Sequence, residues 1–169
     1  MQASLLALLL LLAMVFQPLS AQSQPTIKHA PTISSSSEDT LGMISLPSQH
    51  SVQITSERLE RLIREKGLSF FGFIDHRANA ERVKLSLRPT ILILFGNAQT
   101  GTLLMHQNQT IGLDLPLKLL VWQASDDKVY ITWNNPYYLA RRHGLSQDLN
   151  LLAKSSQLLT SLAQQAGGN

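Results

Sequence analysis

Apolar residues recur along this chain with different periods, and each period predicts a different kind of element. Residues 90–95 (Thr-Ile-Leu-Ile-Leu-Phe) form an almost unbroken apolar run, too short for a helix, and predict a central strand. Residues 68–74, rich in Phe and Ile with Gly72 inside, predict a second buried strand. Residues 117–123 and 128–133 flank Ala124-Ser125-Asp126-Asp127, which has the spacing and turn chemistry of a hairpin. In the second hairpin strand Val129, Ile131 and Trp133 share one face, while Lys128, Tyr130 and Thr132 share the other. One face of the sheet is therefore expected to meet water. A short alternating stretch at 50–54 reads as a further strand opening the folded unit.

Between these runs the period changes to that of helices. Thr55 or Ser56 is placed to cap a helix whose apolar stripe is Leu59, Leu62 and Ile63, with Gly67 at its left-handed end. Glu57 with Arg61 and Glu60 with Arg64 stand four residues apart, acid first, and mark a solvated face. Residues 78–85 predict a short helix closed by Arg88-Pro89. Asn135-Pro136 opens another, with Arg141-Arg142-His143 at the negative end of its dipole and Gly144 as its stop. Ser146 is placed to cap a last helix with Leu149, Leu152, Leu159 and Ala163 on one side, ahead of a frayed Gly167-Gly168-Asn169 tail. The pattern gives an α+β domain over residues 49–147, then a C-terminal helix and tail over 148–169.

The N-terminal segment is of another kind. Residues 1–16 are nearly all Leu, Ala, Met and Val, short of the ~20 residues a spanning helix needs. Pro18 and the small residues of Leu19-Ser20-Ala21 follow, so residues 1–21 read as a signal peptide cut after Ala21, although no Lys or Arg precedes the run. An uncleaved N-terminal membrane anchor is the alternative. Either places the remainder outside the cytoplasm, periplasmic or secreted, with no membrane span after cleavage. Residues 22–48 are rich in Ser, Thr, Pro and Gln and read as a flexible linker. Within it Leu41, Met43, Ile44 and Leu46 form an apolar island that either docks as an edge strand or stays loose.

Composition narrows the function classes. At 169 residues and 44% hydrophobic content, one compact domain with tails is the default. The net charge of +3 is spread along the chain and interleaved with acids, unlike the clustered cations of a nucleic-acid surface. With 0 cysteines the chain has no disulfide, no thiolate metal site and no Cys nucleophile.

One series of short motifs carries a resemblance. Phe73-Ile74-Asp75-His76, Leu87-Arg88-Pro89-Thr90, Phe95-Gly96-Asn97, Gly101-Thr102, Asp114-Leu115-Pro116-Leu117-Lys118, Val121-Trp122 and His143-Gly144-Leu145 fall in the order and spacing of a family. Over residues 51–145 the chain resembles the bacterial domain-of-unknown-function family 302. Ala98 and Leu103 stand where that pattern has Pro. The resemblance implies one antiparallel sheet with helices packed on one face, in a β-α-β(4)-α-like order grouped with the TATA-binding-protein-like folds. It implies no reaction, and kinship of fold with a DNA binder is no warrant for DNA binding.

The candidate chemistry is sparse. His76 follows Asp75 at a strand end, where an imidazole can titrate near neutrality. With His143 and with Asp114 before Leu115-Pro116 it is placed to form a small polar pocket, but the plainer reading, which is preferred, is that His76 and Asp114 hydrogen-bond loop backbone. Lys118 in an apolar strand beside Asp114 is a candidate desolvated amine or a simple ion-pair partner. Asn97 and Tyr138 complete the candidate ligand-binding set of Asp75, His76, Asn97, Asp114, Lys118, Tyr138 and His143. Asn97 is also explained by turn chemistry. His50, His76, Met105-His106 and His143 have the residue types of a copper site, but no pair has helical i to i+4 spacing, so no metal and no cofactor are assigned. Trp122 and Trp133 read as core or interface aromatics. There is no triad signature, phosphate loop or carboxylate pair. The expectation is a non-enzymatic exported module that binds a small ligand or a protein partner, a second copy of itself included. The alternative is a small enzyme using His76 with Asp114 or His143 in acid–base chemistry.

Overall fold

The computed structural model describes residues 42–168. The expected leader over 1–21, most of the linker and Asn169 lie outside the described residues. Five strands, β1 (Met43–Ser48), β2 (Ser69–Asp75), β3 (Thr90–Gly96), β4 (Leu117–Gln123) and β5 (Val129–Asn134), form one antiparallel sheet in the order β1-β5-β4-β3-β2. The helices are α1 (Val52–Glu65), α2 (His76–Arg82), α3 (Ala98–Gln107), α4 (Pro136–Arg142) and α5 (Asn150–Gly167), with a 3-10 helix at Gln109–Leu113. The expected α+β class with a single antiparallel sheet is the class observed.

Strand alternation decides which face is covered. Ile93 and Phe95 of β3, Leu119 and Val121 of β4, and Ile131 and Trp133 of β5 are buried with Leu59 and Ile63 of α1 and Leu159, Leu162 and Ala163 of α5 in one core. The other face carries Leu92, Leu94, Leu120, Trp122 and Tyr130, all only partly buried. There Trp122 and Tyr130 stack at 5.4 Å, and the Trp122 indole donates to Thr132 Oγ1 at 2.8 Å. The two tryptophans thus divide between faces: Trp133 is core, and Trp122 sits on the wet side.

Three boundaries differ from the sequence pattern, each for a physical reason. Residues 50–54 are not a strand. Val52, Thr55, Ser56, Leu59 and Ile63 follow helical spacing, all are buried, and Ser51 rather than Thr55 or Ser56 caps α1 by accepting from Ile54 N. The apolar island docks: β1 pairs along β5 and turns Ile44 and Leu46 onto the core. Gly42 starts it at φ +70°, and any Cβ there would fall inside the Tyr138 ring, so Tyr138 clamps the entry of β1.

The third concerns the C-terminal helix, which is no appendage. Leu152, Leu159, Leu162, Ala163 and Ala166 of α5 are buried, and Arg58 of α1 donates to the carbonyls of Ala166 (2.9 Å) and Gln165 (2.8 Å). Gln49 N donates to Gly167 O at 2.9 Å, so the expected frayed tail is pinned at least to that residue. Its N-cap is Leu149, without a side-chain hydrogen bond, rather than Ser146. Beside the sheet, α5 also joins a second apolar cluster with Leu104, Ile111, Ala140 and Leu145.

Candidate functional site

Where β3 ends, the chain turns at Gly96-Asn97 into α3, a helix absent from the sequence pattern. Asn97 is its N-cap, with Oδ1 accepting from Thr100 N at 3.0 Å. The helix lifts away from the sheet and returns through the 3-10 helix and the Leu115–Pro116 peptide, which is cis, into β4. Between this excursion, the start of β2 and the middle of α5 lies a cavity of about 680 Å³. Its apolar wall includes Leu68, Phe71, Leu104, Met105, Leu115 and Leu158. The polar side chains on it are Asn97, Thr100, Thr102, Lys154 and Ser155. This volume falls within the roughly 300–1,000 Å³ of small-molecule sites, and apolar walls with few polar groups are their usual make-up.

Behind the cavity wall stands a buried polar network. Asp114 and His143 are 9% and 7% exposed, and His143 Nε2 meets Asp114 Oδ2 at 2.6 Å. Arg142, half exposed, adds a contact to the same carboxylate at 3.3 Å. The other ring nitrogen, Nδ1, meets Thr110 Oγ1 at 2.9 Å, and Thr110 Oγ1 also meets Asn108 Oδ1 at 2.9 Å. The Asn108 amide is oriented by Nδ2 donating to His143 O at 2.8 Å and Oδ1 accepting from Thr110 N at 3.0 Å. The Thr110 hydroxyl has one hydrogen between two acceptors, so it serves Asn108 when the ring carries two protons and Nδ1 when Nε2 alone is protonated. The network ties the end of α4 to the 3-10 helix and to the residue that precedes Leu115-Pro116. None of Thr110, Asp114 and His143 lines the cavity.

Lys118 is held by the same turn. Its amine donates to Asp114 O at 2.6 Å and Pro116 O at 2.9 Å, and burial pushes it below its ordinary value of 10.5, opposed by the Asp114 charge. A lowered native value means the unfolded chain holds this proton more tightly. Stability should therefore rise with pH between the native value and 10.5 on account of this group. Denaturant unfolding of wild type and Lys118→Met, compared from pH 8 upward, should show the wild type gaining relative to the variant as pH rises. A flat difference would overturn the assignment.

The structure divides the sequence-derived site. It brings Asp114, His143 and Lys118 together and puts Asn97 on the cavity wall. It does not bring His76. The β2–β3 register sets Asp75 opposite Ile91, whereas Leu117, just after Asp114, faces Phe95. Four residues of β3 separate these levels, ~13 Å. The expected pairing of His76 with Asp114 or His143 is therefore not made, because antiparallel pairing sends the two strand ends to opposite edges of the fold. Asp75 caps α2, accepting from Ala78 N at 2.9 Å, and His76 is the first residue of that helix. Tyr138 serves β1, as above. Asn108, Thr110 and the cavity-lining residues of α5 were not singled out by the sequence, and of those on α3 Met105 entered only as a copper-ligand type and Gly101-Thr102 only as part of a family motif. The spacing of Leu104 to Ile111 and Leu115 was the available signal for a second apolar cluster.

Fold and cavity together define a small α+β domain with one antiparallel sheet, helices on one face, and an apolar pocket beside a helical excursion between the third and fourth strands. Residues 44–164 match the family model described as Domain of unknown function DUF302, and the chain belongs to that family. A stretch of 114 residues, 66% of the chain, is 45% identical to Fluoride-specific ion channel FluC 1 of Brucella suis biovar 1 (strain 1330), covering 45% of that protein. The same identity relates it to Fluoride-specific ion channel FluC 2 of Brucella melitensis biotype 1, over 42% of its length. The chain thus spans less than half the length of these curated relatives. The crystal structure of the uncharacterized conserved protein DUF302 from Bacillus stearothermophilus superposes with a TM-score of 0.67, covering 75% of this chain and 98% of that one at 18% identity, a likeness of fold.

Proposed function

We propose that this protein is a non-enzymatic binding module whose cavity beside α3 and α5 takes a small, largely apolar ligand outside the cytoplasm. The observation that carries the reading is the cavity itself: about 680 Å³, walled by Leu, Phe, Met, Pro and Gly, with Lys154 the one charged residue among the described residues that line it. An acid–base enzyme needs its titratable groups where substrate sits. His143 and Asp114 stand outside the wall, satisfied by one another, and His76 lies across the sheet. The apolar run at residues 1–16 supports export to the periplasm or beyond.

The names of the Brucella relatives do not carry fluoride conduction to this chain. A channel must cross the bilayer, and among the described residues no helix is long and apolar enough to do so. The shared stretch is long enough to include much of the sheet-and-helix domain, so we assign conduction to the portion of those relatives that this chain does not span.

Binding of the apolar fluorophore N-phenyl-1-naphthylamine to the full chain tests the reading. Wild type should bind it with enhanced emission. Thr102→Trp places a bulky ring on the cavity wall from an exposed position, so it should weaken binding by about tenfold or more with an unchanged unfolding midpoint. Equal binding by both proteins, or none by wild type, would sink the proposal.

A further inference from the structure

Lys154 and Ser155 are consecutive on α5 and both line the cavity. Ser155 is only 7% exposed, yet its hydroxyl hydrogen bonds to no described residue. The hydroxyl is not among the described polar atoms cut off from solvent, so it opens onto the cavity and can donate to what fills it. Lys154 is exposed and makes no ion pair or hydrogen bond with a described residue. Among the described residues no Asp or Glu lines the cavity, so the one charge they place there is positive and uncompensated. The first turn of α3, Asn97 to Gly101, lines the same space and adds the positive end of a helix.

From this combination we infer that the ligand is an amphiphile with one anionic head, a carboxylate or a phosphate, on an aliphatic tail. The inference rests on the proposed function and adds the class of ligand. The leucines, Phe71 and Met105 take the tail. Lys154 supplies the countercharge and Ser155 the hydrogen-bond donor for a head-group oxygen. At about 30 Å³ per water-sized group, 680 Å³ corresponds to roughly twenty such groups, the scale of a medium to long acyl chain. A cationic or zwitterionic head would set a positive charge against Lys154 with no acid on the wall to offset it.

The test uses the full chain and three ligands of one tail length, dodecanoate, dodecyl phosphate and dodecanol, each displacing N-phenyl-1-naphthylamine. In wild type at least one anionic ligand should bind about tenfold or more tightly than dodecanol, the factor that about 1.4 kcal/mol of charge-assisted hydrogen bonding gives. The stronger of the two anions identifies the head group. Lys154→Gln should bring that ratio close to one, Lys154→Arg should keep it, and Ser155→Ala should lower it severalfold. Dodecanol binding as tightly as both anions in wild type would overturn the anionic head while leaving the apolar pocket standing. Failure of the fluorophore and all three ligands to bind would overturn both. A preference for anions untouched by Lys154→Gln would also overturn the assignment of the head to this wall.

Discussion

Ending the chain after Asp148 is expected to give a protein that does not fold, with no cooperative transition by circular dichroism in urea. The truncation removes α5, whose Leu152, Leu159 and Leu162 are each no more than 2% exposed. Fully burying a leucine contributes about 1.5–3 kcal/mol. Three of them, with Ala163 and Ala166, therefore match a large part of the roughly 5–15 kcal/mol that separates a folded domain from its unfolded chain. The removal would also uncover Leu59, Ile63, Trp133 and Ile131, which share that core, and leave Arg58 without the Gln165 and Ala166 carbonyls. A cooperative, native-like domain over residues 42–148 would show that α5 is an attachment after all.

Asp114→Ala should cost about 1–3 kcal/mol in urea denaturation, the range for leaving a buried hydrogen-bonding group without its partner. The carboxylate accepts from His143 at 2.6 Å in a site where both side chains are buried, and the His143 ring would be left with Thr110 alone. Arg142 contributes less, being half exposed and screened. Because Asp114 precedes Leu115, Pro116 and Leu117 on the cavity wall, the same variant should also weaken fluorophore binding. Thr110→Ala serves as the comparison. Thr110 is exposed, and its loss should cost only about 1 kcal/mol. A loss below 1 kcal/mol for Asp114→Ala would show that solvent, not His143, satisfies the carboxylate.

How much of the site was legible varied with how local its chemistry is. Asn97 and Asp75 were flagged as polar candidates, and the structure uses both as caps, because a cap is decided within three residues of the chain. Asp114 and His143, placed in one group by the sequence, are in contact at 2.6 Å although 29 residues separate them. His76 was grouped with them wrongly, since nothing in the chain fixes which end of an antiparallel sheet a strand terminus reaches. The cavity was invisible for a different reason. Its apolar walls are Phe71 of β2 with leucines and glycines from α3, the turn before β4 and α5, and each reads singly as ordinary core. Ser155 is a polar helix residue that no local pattern marks, and the fold leaves it 7% exposed on the cavity wall.

The sequence by itself determined the class of fold and most of the elements, because period-2 and period-3.6 patterns, caps and turn residues act over a few positions. The apolar run of β3, the hairpin at Ala124 to Asp127 and the Asn135-Pro136 helix start are of this kind. Tertiary structure alone decided that β1 and α5 belong to the domain, that α3 departs from the sheet, and that a cavity opens between them. Those outcomes depend on which surfaces meet. Segments such as residues 43–48 and 150–167 bury their apolar faces only against partners distant in the chain, so their place follows from the packing of the whole and from no stretch within it.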